Sequence, residues 1–279
     1  MTMKAGIVGW PVTHSLSPVL HGYWLKEHGI DGEMLRLPTS PEEFGAVIAR
    51  ARAEGFKGVN VTVPHKESAF ALADRLDASA KVAGAANLLV FHDGAIEGRN
   101  TDSYGLAQSL HENLGTLAGT SVVLLGAGGA ARGAVLALES VGAASIHILN
   151  RDAGRAAILA QSLSPHVNAQ LFPGALTDWP AVAGSVALVV NCTSAGMSGN
   201  PPLDLDLAAL PASSAVCDIV YKPLETELLR DAKARGHQTI DGLGMLMHQA
   251  APSFEAFFGV RPEVTQGLRD ALVAVLRAQ

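Results

Sequence analysis

Short runs of β-branched and aliphatic residues alternate along the chain with longer stretches rich in Ala and Leu. The short runs predict strands and the longer stretches predict helices. Their regular alternation predicts an α/β fold with largely parallel sheets. The predicted strands are residues 4–8, 33–37, 58–61, 87–91, 122–125, 145–149, 186–190 and 215–218.

One pair of runs is predicted to form a hairpin. Residues 87–91 and 95–99 are separated by little more than Asp93-Gly94, a pair that favours a tight turn. We expect this hairpin to close a first unit, with a second unit running from the helix after Asp102 to about Asp241. Two last helices are predicted near 243–258 and 264–277. Because no strand separates them, the pattern does not show which unit they join.

Composition narrows the class of protein. A length of 279 residues favours two domains, or one domain with an insertion. With 48% hydrophobic residues, 16% charged residues and a net charge of -6, the chain is neither disordered nor a polyelectrolyte, and a nucleic-acid partner is disfavoured. We find neither a signal-peptide pattern nor an apolar run of roughly 18 residues that could span a membrane, so the expected compartment is the cytoplasm.

Cysteine and histidine spacing does not predict a metal site. Cys192 and Cys217 lack the C-x-x-C spacing of zinc or redox sites and are expected to be small core residues. His14, His21 and His28 recur every seven residues. No carboxylate accompanies the last two at ligand spacing, so we expect no metal.

A glycine-rich turn follows strand 122–125. It reads Gly126-Ala127-Gly128-Gly129-Ala130-Ala131 and leads into a helical run. A G-x-G-x-x-A motif between a strand and a helix predicts a dinucleotide-binding site, in which Gly126 makes the turn and Gly128 lets a pyrophosphate approach. The alternative is a loop that only reverses the chain.

The residues after strand 145–149 bear on the choice of cofactor. They read Asn150-Arg151-Asp152-Ala153-Gly154-Arg155. An NAD site usually has a carboxylate about 20 residues after the glycine motif, whereas two guanidiniums suit the 2′-phosphate of NADP. NADP is therefore the predicted cofactor. The alternative is that Arg155 is a solvated helix residue that binds no phosphate, with Asp152 competing with the phosphate for either arginine.

Three polar segments mark the first unit. Ser15 and Ser17 follow the first strand, where two hydroxyls and helix N–H groups suit a substrate carboxylate, although Ser17 before Pro18 also suits a helix N-cap. Lys66 is predicted in the first turn of a helix that Pro64 starts. There the helix dipole disfavours a cation by about 0.3–1 kcal/mol, which suits a proton-transferring lysine.

The second and third segments are also compatible with roles that involve no catalysis. Lys66 is also compatible with an exposed lysine balanced by Glu67, and His65 is expected at the surface. The third segment, Gly98-Arg99-Asn100-Thr101-Asp102, ends the hairpin. Asp102 suits either the cap of a helix beginning at Ser103 or the partner of the lysine in an acid/base pair.

Taken together, these segments resemble the shikimate dehydrogenase family over nearly the full length of the chain. The matching motifs, in family order, are Ser15-Leu16-Ser17-Pro18, Asn60-Val61-Thr62-Val63-Pro64-His65-Lys66, Gly84-Ala85-Ala86-Asn87, Asn100-Thr101-Asp102, Gly126-Ala127-Gly128-Gly129-Ala130, Asn150-Arg151, Asn191-Cys192-Thr193-Ser194-Ala195-Gly196-Met197 and Asp241-Gly242-Leu243-Gly244-Met245-Leu246.

The resemblance implies a two-domain α/β enzyme that reduces 3-dehydroshikimate to shikimate with NADPH, in chorismate and aromatic amino-acid biosynthesis. It implies a substrate domain at residues 1–102, an inserted Rossmann NADP domain at 103–241, and helices at 242–279 that return to the substrate domain. We expect a monomer or a homodimer.

The resemblance also assigns roles to single residues. It implies a catalytic dyad of Lys66 and Asp102. Substrate contacts are implied for Ser15, Ser17, Thr62, Asn87, Tyr221 and Gln249. Cofactor contacts are implied for Gly126, Ala127, Gly128, Gly129, Ala130, Asn150, Arg151, Arg155, Thr193, Gly242 and Met245.

Two departures from the family pattern keep alternatives open. Leu88 stands where many members have a threonine beside the substrate asparagine, and Asp152 stands where threonine commonly follows Asn-Arg. The alternatives are a quinate/shikimate or aminoshikimate dehydrogenase using NAD or NADP, and a non-catalytic homologue that senses NADP or a metabolite.

Overall fold

The computed structural model describes residues 2–278, which divide into two units. The first unit comprises the residues up to Thr101 together with Met247–Ala278, and the second comprises Asp102–Leu246. The sequence placed these boundaries at 102 and 241. The second boundary differs because one continuous helix, Gly242–Phe258, runs across it.

The first unit contains a six-stranded mixed sheet in the order β2-β1-β3-β5-β6-β4. Its strands are β1 (Met3–Gly9), β2 (Gly32–Pro38), β3 (Phe56–Val61), β4 (Arg75–Leu76), β5 (Leu88–His92) and β6 (Ala95–Arg99). Strands β1, β2 and β3 run parallel, and β5 runs antiparallel to both β3 and β6. The helices that begin in this part of the chain are α1 (Ser17–Glu27), α2 (Phe44–Ala53), α3 (Lys66–Leu72) and α4 (Ala78–Ala83).

The second unit begins with α5 (Asp102–Leu114) and contains a six-stranded, wholly parallel sheet. Its other elements are β7 (Ser121–Leu125), α6 (Gly129–Ser140), β8 (Ser145–Asn150), α7 (Ala153–Leu163), β9 (Gln170–Ala175), α8 (Trp179–Val182), β10 (Leu188–Asn191), β11 (Ala215–Asp218), α9 (Glu227–Ala234) and β12 (Gln238–Ile240). Helices α10 (Gly242–Phe258) and α11 (Gln266–Arg277) complete the chain. The sheet order β9-β8-β7-β10-β11-β12 is that of a doubly wound Rossmann sheet, so the predicted α/β class is confirmed.

The predicted strands are all present, with ends that move by at most two residues, and the hairpin turns at Asp93-Gly94 with a φ of +83° at Gly94. Strands β4, β9 and β12 were missed. Each lies at an edge of its sheet. Strand β9 contains Pro173 and has no buried residue, so it lacks the apolar run by which a buried strand is recognised. None of the helices in the described part of the chain is both long enough and apolar enough to cross a membrane.

His21 lies within an aromatic cluster in the core of the first unit. Its ring is fully buried, and its centroid lies 5.8 to 6.4 Å from those of Trp24, Phe254, Phe257 and Phe258. Neither ring nitrogen has a hydrogen-bond partner among the described residues. Burial lowers the pKa of His21 to about 3. A weaker interaction with the Asn60 amide opposes this lowering, although the two side chains do not form a hydrogen bond.

This imidazole makes folding sensitive to acid. In the unfolded chain it takes up a proton below its ordinary pKa of 6.5, but in the folded protein it stays neutral down to about pH 3, so stability falls as the pH falls through that window. Between about pH 7.5 and about pH 5, the group should cost the native state about 2 kcal/mol. His21→Leu should abolish that part of the loss, as measured by urea unfolding at both pH values.

The exposed His166 provides a matched control, and His166→Leu should leave the acid loss unchanged. An acid loss in His21→Leu equal to that of the unaltered protein would contradict the assignment.

Candidate active site

The direction of the strands brings several polar segments of the first unit to one edge of its sheet. This edge is formed by the ends of strands and not by an outermost strand. Strands β1 and β3 are parallel and both end there, β5 is antiparallel to β3 and begins there, and β6 ends there. Backbone bonds join the segments: Trp10 N–H donates to Val63 O at 3.1 Å, and Val61 N–H donates to Asn87 O at 2.7 Å. The edge therefore gathers the predicted substrate residues Ser15, Ser17, Thr62 and Asn87, together with Lys66.

The two serines after β1 have the opposite roles to those that the helix pattern suggested. Helix α1 begins at Ser17 itself, and no side chain caps it. Ser17 N–H instead donates to the Ser15 hydroxyl oxygen at 3.3 Å, and the two hydroxyl oxygens lie 3.2 Å apart. A hydrogen bond of 2.8 Å from the Arg36 guanidinium to Ser15 O holds the loop. Both hydroxyls thus face one locality, as carboxylate binding requires.

Lys66 opens α3 directly after the loop that follows β3. Pro64 lies before the helix rather than in its first turn, and the helix has no side-chain cap. The backbone of this segment is fixed on both sides, because Thr62 N–H donates to Val8 O at 2.9 Å and Ala86 N–H donates to Lys66 O at 2.9 Å. Lys66 itself is half-buried, whereas Glu67 is exposed. The lysine therefore sits at a rigid, partly desolvated position.

The expectation that His65 lies at the surface was wrong. Its side chain is 1% exposed, and its ring stacks on Phe44 with centroids 4.9 Å apart. Nε2 lies 2.7 Å from Thr39 O, which can only accept, so this nitrogen carries the proton. The residues around His65 show no apolar periodicity from which this burial could have been predicted. Its ring anchors the start of the lysine helix to the loop after β2.

Thr101 is a site residue that the sequence analysis did not single out. Its N–H donates to Asn87 Oδ1 at 2.8 Å, and Asn87 Nδ2 donates to its hydroxyl at 2.9 Å. Gln249 Oε1 lies 3.3 Å from the same hydroxyl and 3.4 Å from Asn87 Nδ2. The predicted substrate residues Asn87 and Gln249 thus share one hydrogen-bonded cluster, and the Asn-Thr-Asp motif was the available signal for Thr101.

Asp102 is the first residue of α5, one position earlier than the predicted helix start. Its side chain is buried, with 8% of the residue exposed. A methyl group on Gly133 of α6 would lie 3.4 Å from Asp102 Cβ, in ordinary van der Waals contact, so α6 packs closely against the start of α5 at this point. A carboxylate in the first turn is favoured by the helix dipole.

The glycine-rich turn of the second unit has the geometry that a pyrophosphate requires. Gly126 has a φ of +110°, and a side chain there would meet Thr193 Cγ2 at 3.1 Å. Gly128 is extended and precedes α6 without any side-chain cap, while the space beside Gly128 and Gly129 is open. Backbone N–H groups of α6 are therefore free of side-chain acceptors, and Ala131 is fully buried against the sheet.

The turn also lies at the topological switch point of the sheet, because β7 is flanked by β8 on one side and by β10 on the other. Ala127 and Ala130 of the turn are half-buried. The residues present therefore fit a dinucleotide.

The segment after β8 presents two exposed guanidiniums, those of Arg151 and Arg155. Asp152 caps α7, accepting from Gly154 N–H at 2.9 Å and from Arg155 N–H at 3.4 Å. Asn150 Nδ2 donates to Asp152 O at 2.9 Å and holds the turn. The carboxylate is thus bonded to backbone rather than to either guanidinium, so both arginines remain available to a phosphate.

The remaining predicted residues follow the strands of the second unit. Thr193 is the second residue after β10, and half-buried Tyr221 follows β11, where burial raises the pKa of its phenol. A side chain on Gly242 would collide with Ile219 O, so only glycine fits the start of α10. Met245 is half-buried on the same helix. Cys192 and Cys217 are buried core residues, as predicted.

Comparison with known proteins assigns the chain. Residues 7–89 match the family model of the shikimate dehydrogenase substrate binding domain, and residues 106–198 match that of shikimate / quinate 5-dehydrogenase.

A shikimate dehydrogenase (NADP(+)) of Methylobacterium radiotolerans is 50% identical, over 99% of this chain and 98% of its own. The crystal structure of the Thermus thermophilus shikimate 5-dehydrogenase with NADP(H) and shikimate has a TM-score of 0.87 at 32% identity, covering 98% of this chain and 99% of the other. The quinate dehydrogenase of Corynebacterium glutamicum with NAD has a TM-score of 0.91 at 30% identity, covering 98% and 99%. The chain belongs to the shikimate dehydrogenase family.

Proposed function

We propose which residues of this chain bind the substrate, transfer the proton and bind the cofactor in the reaction that its family catalyses. That reaction is the reversible, NADP-linked reduction of 3-dehydroshikimate to shikimate, in the pathway to chorismate and the aromatic amino acids. The observation that carries the proposal is the sheet edge of the first unit, where Lys66 opens α3 beside the hydroxyl-bearing loop after β1 and the Asn87 cluster.

The proposed substrate site uses neutral donors. Hydroxyls of Ser15 and Ser17, which lie 3.2 Å apart, bind the substrate carboxylate. The amides of Asn87 and Gln249, with the Thr62 and Tyr221 hydroxyls, bind the ring hydroxyls. Thr101 holds Asn87 and Gln249 in place, so each amide presents a fixed donor and acceptor to the ring.

The proposed proton carrier is Lys66, with Asp102 assisting it. Bound NADPH supplies the hydride. Lys66 donates a proton to the carbonyl oxygen as it becomes an alkoxide, and it takes that proton back in the oxidation of shikimate. The anchored backbone on both sides of Lys66 limits the motion of its ammonium group, which keeps the donor close to the reacting oxygen.

For the cofactor, we propose that the glycine-rich turn from Gly126 to Ala130 and the start of α6 bind the pyrophosphate. Asn150, Arg151 and Arg155 then bind the adenosine ribose and its 2′-phosphate. Thr193, Gly242 and Met245 line the nicotinamide pocket. The proposed oligomeric state, monomer or homodimer, the cytoplasmic location and the lack of a nucleic-acid partner rest on the sequence alone.

Oxidation of quinate is the alternative activity, and the structural similarity to a quinate dehydrogenase is the observation that favours it. Initial rates with shikimate and quinate, each with NADP and NAD, decide between them. A kcat/KM for quinate and NAD above that for shikimate and NADP would overturn the proposed preference.

Replacement of the lysine tests the proton carrier. Lys66→Ala should lower kcat by about 10²-fold or more, the usual scale of general acid-base assistance, while the KM for shikimate changes little. The exposed Lys57 of β3 provides a matched control, and Lys57→Ala should leave both constants unchanged. A kcat within a few-fold of normal in Lys66→Ala would remove the lysine from this role.

Asp152→Asn tests the 2′-phosphate site. The amide oxygen can still accept from Gly154 N–H, so the cap is kept while one negative charge beside the phosphate is lost. The kcat/KM for NADP should rise about threefold at low ionic strength and less at high salt, with that for NAD little changed. Arg155→Ala should move the NADP value in the opposite direction. An equal effect of Asp152→Asn on both cofactors would show that its charge does not act on the phosphate.

A further inference from the structure

Asp218, the last residue of β11, is a fully buried carboxylate held by neutral donors. Its Oδ1 accepts from Asn191 Nδ2 and from Val220 N–H, each at 3.0 Å. Its Oδ2 accepts from the Thr226 hydroxyl at 2.7 Å. Within residues 2–278 no cation pairs with it, and burial raises its pKa while these three hydrogen bonds oppose the shift.

Such a group is costly to keep. Burial of a carboxylate without a cation disfavours its ionised form in the fold, and a neutral residue of the same shape would remove that cost. Burial raises the pKa values of two nearby thiols, those of Cys192 and Cys217, and the charge of Asp218 contributes to both shifts. In return, the carboxylate holds three neighbouring groups in place through its hydrogen bonds.

The carboxylate holds Asn191 in one orientation. A carboxylate can only accept, so the amide nitrogen of Asn191 faces it, and the same nitrogen also donates to Ala195 O at 3.4 Å. The amide oxygen accepts from Thr193 N–H at 3.0 Å and from the Thr193 hydroxyl at 2.7 Å. The Thr193 hydroxyl in turn accepts from Ala195 N–H at 3.1 Å. The buried carboxylate is thereby the first group in a series of hydrogen bonds that reaches Thr193.

This series of hydrogen bonds ends beside the glycine-rich turn. Cys192 N–H donates to Leu125 O at 2.9 Å, and Thr193 Cγ2 lies 3.1 Å from the position that a Cβ on Gly126 would take. The loop after β10 is therefore one wall of the proposed dinucleotide site.

The same carboxylate also holds the segment after β11. The Thr226 hydroxyl donates to Oδ2, and the same residue caps α9. Val220 N–H donates to Oδ1, and Val220 O accepts from Gly242 N–H at 3.3 Å. Thr193 and Gly242, both proposed nicotinamide residues, are thus connected through one buried group.

We infer that Asp218 is a positioning residue for the nicotinamide half of the cofactor site, acting through Asn191 on Thr193. The inference rests on the proposed role of Thr193. Replacement by asparagine keeps the shape but removes the charge and presents a donor as well as an acceptor, so the hydrogen bond from Asn191 Nδ2 is weakened or lost. Asn191 then holds Thr193 less firmly.

The experiment measures binding to the purified full-length protein by calorimetry, with NADPH and with 2′,5′-ADP, which lacks the nicotinamide. Asp218→Asn should weaken NADPH binding about tenfold, on the scale of one lost hydrogen bond, and leave 2′,5′-ADP binding unchanged. Its Tm at about pH 8 should be equal or higher, because the buried charge is gone. The control is Asp206→Asn, an exposed acid in the same unit, which should alter neither affinity.

Equal NADPH affinity in Asp218→Asn would overturn the inference. So would a lowered Tm with matching losses for both ligands, which would indicate a merely structural role. Asn191→Ala interrupts the same series of hydrogen bonds while leaving the carboxylate in place, so it should weaken NADPH binding to a similar extent. Adding it to Asp218→Asn should bring little further loss. If Asp218→Asn does not fold, a normal NADPH affinity in Asn191→Ala overturns the inference by itself.

Thr193→Ala separates the two levels of the argument. Unchanged NADPH affinity in Thr193→Ala would refute the proposed role of Thr193. Weakened affinity in that variant, with normal affinity in Asp218→Asn, would refute only the positioning by Asp218.

Discussion

The direction of the strands decides where the chemistry of this chain can take place. In the first unit, β5 turns back against β3, so the beginning of β5 and the ends of β1, β3 and β6 meet at one edge of the sheet. A serine loop, a lysine and an amide cluster that lie far apart in the sequence are thereby brought to that edge. In the second unit, all strands are parallel, but the order in which they are added to the sheet reverses at β7, which lies between β8 and β10. This reversal places the glycine-rich turn next to the Thr193 loop. A slip in register would disperse both groups of residues.

Buried polar groups in this protein fall into two kinds that differ in whether they hold anything. His21 is buried among aromatic rings and bonds to nothing among the described residues, so it acts as a core side chain that costs stability in acid. His65 and Asp218 are buried just as deeply, but each bonds to backbone or to a side chain next to a proposed functional residue. A buried polar group stabilises one arrangement only when its donors and acceptors are matched, so the second kind fixes geometry where the first merely fills space.

Much of the fold could be predicted from the sequence, because buried parallel strands have continuous apolar runs and the turns have Gly at positive φ, as at Gly94 and Gly126. The edge strands could not be predicted in this way, since β9, for example, has no buried residue and contains Pro173. At the site, the motifs identified the segments but not the partners within them. Whether Ser15 or Ser17 bonds the start of α1, and whether His65 points inward, depends on contacts with Arg36, Thr39 and Phe44 from other elements, which local sequence does not contain.

The caps of the helices indicate how the proposed cofactor site selects its ligand. Helix α6, which begins at the proposed pyrophosphate segment, has no side-chain cap, so N–H groups at its start can bind a ligand. At the start of α1, by contrast, Ser17 N–H already donates to the Ser15 hydroxyl. Helices α4, α9 and α11 are closed by Asp77, Thr226 and Thr265. Helix α7 lies at the proposed 2′-phosphate position, yet Asp152 closes it. Its N–H groups at Gly154 and Arg155 are therefore already bonded to an anion of the protein, and recognition of the phosphate is proposed for the Arg151 and Arg155 side chains. A guanidinium can bind a phosphate bidentately, and a negative charge beside the phosphate opposes that attraction, so the proposed preference for NADP depends on Asp152 as well as on the two arginines.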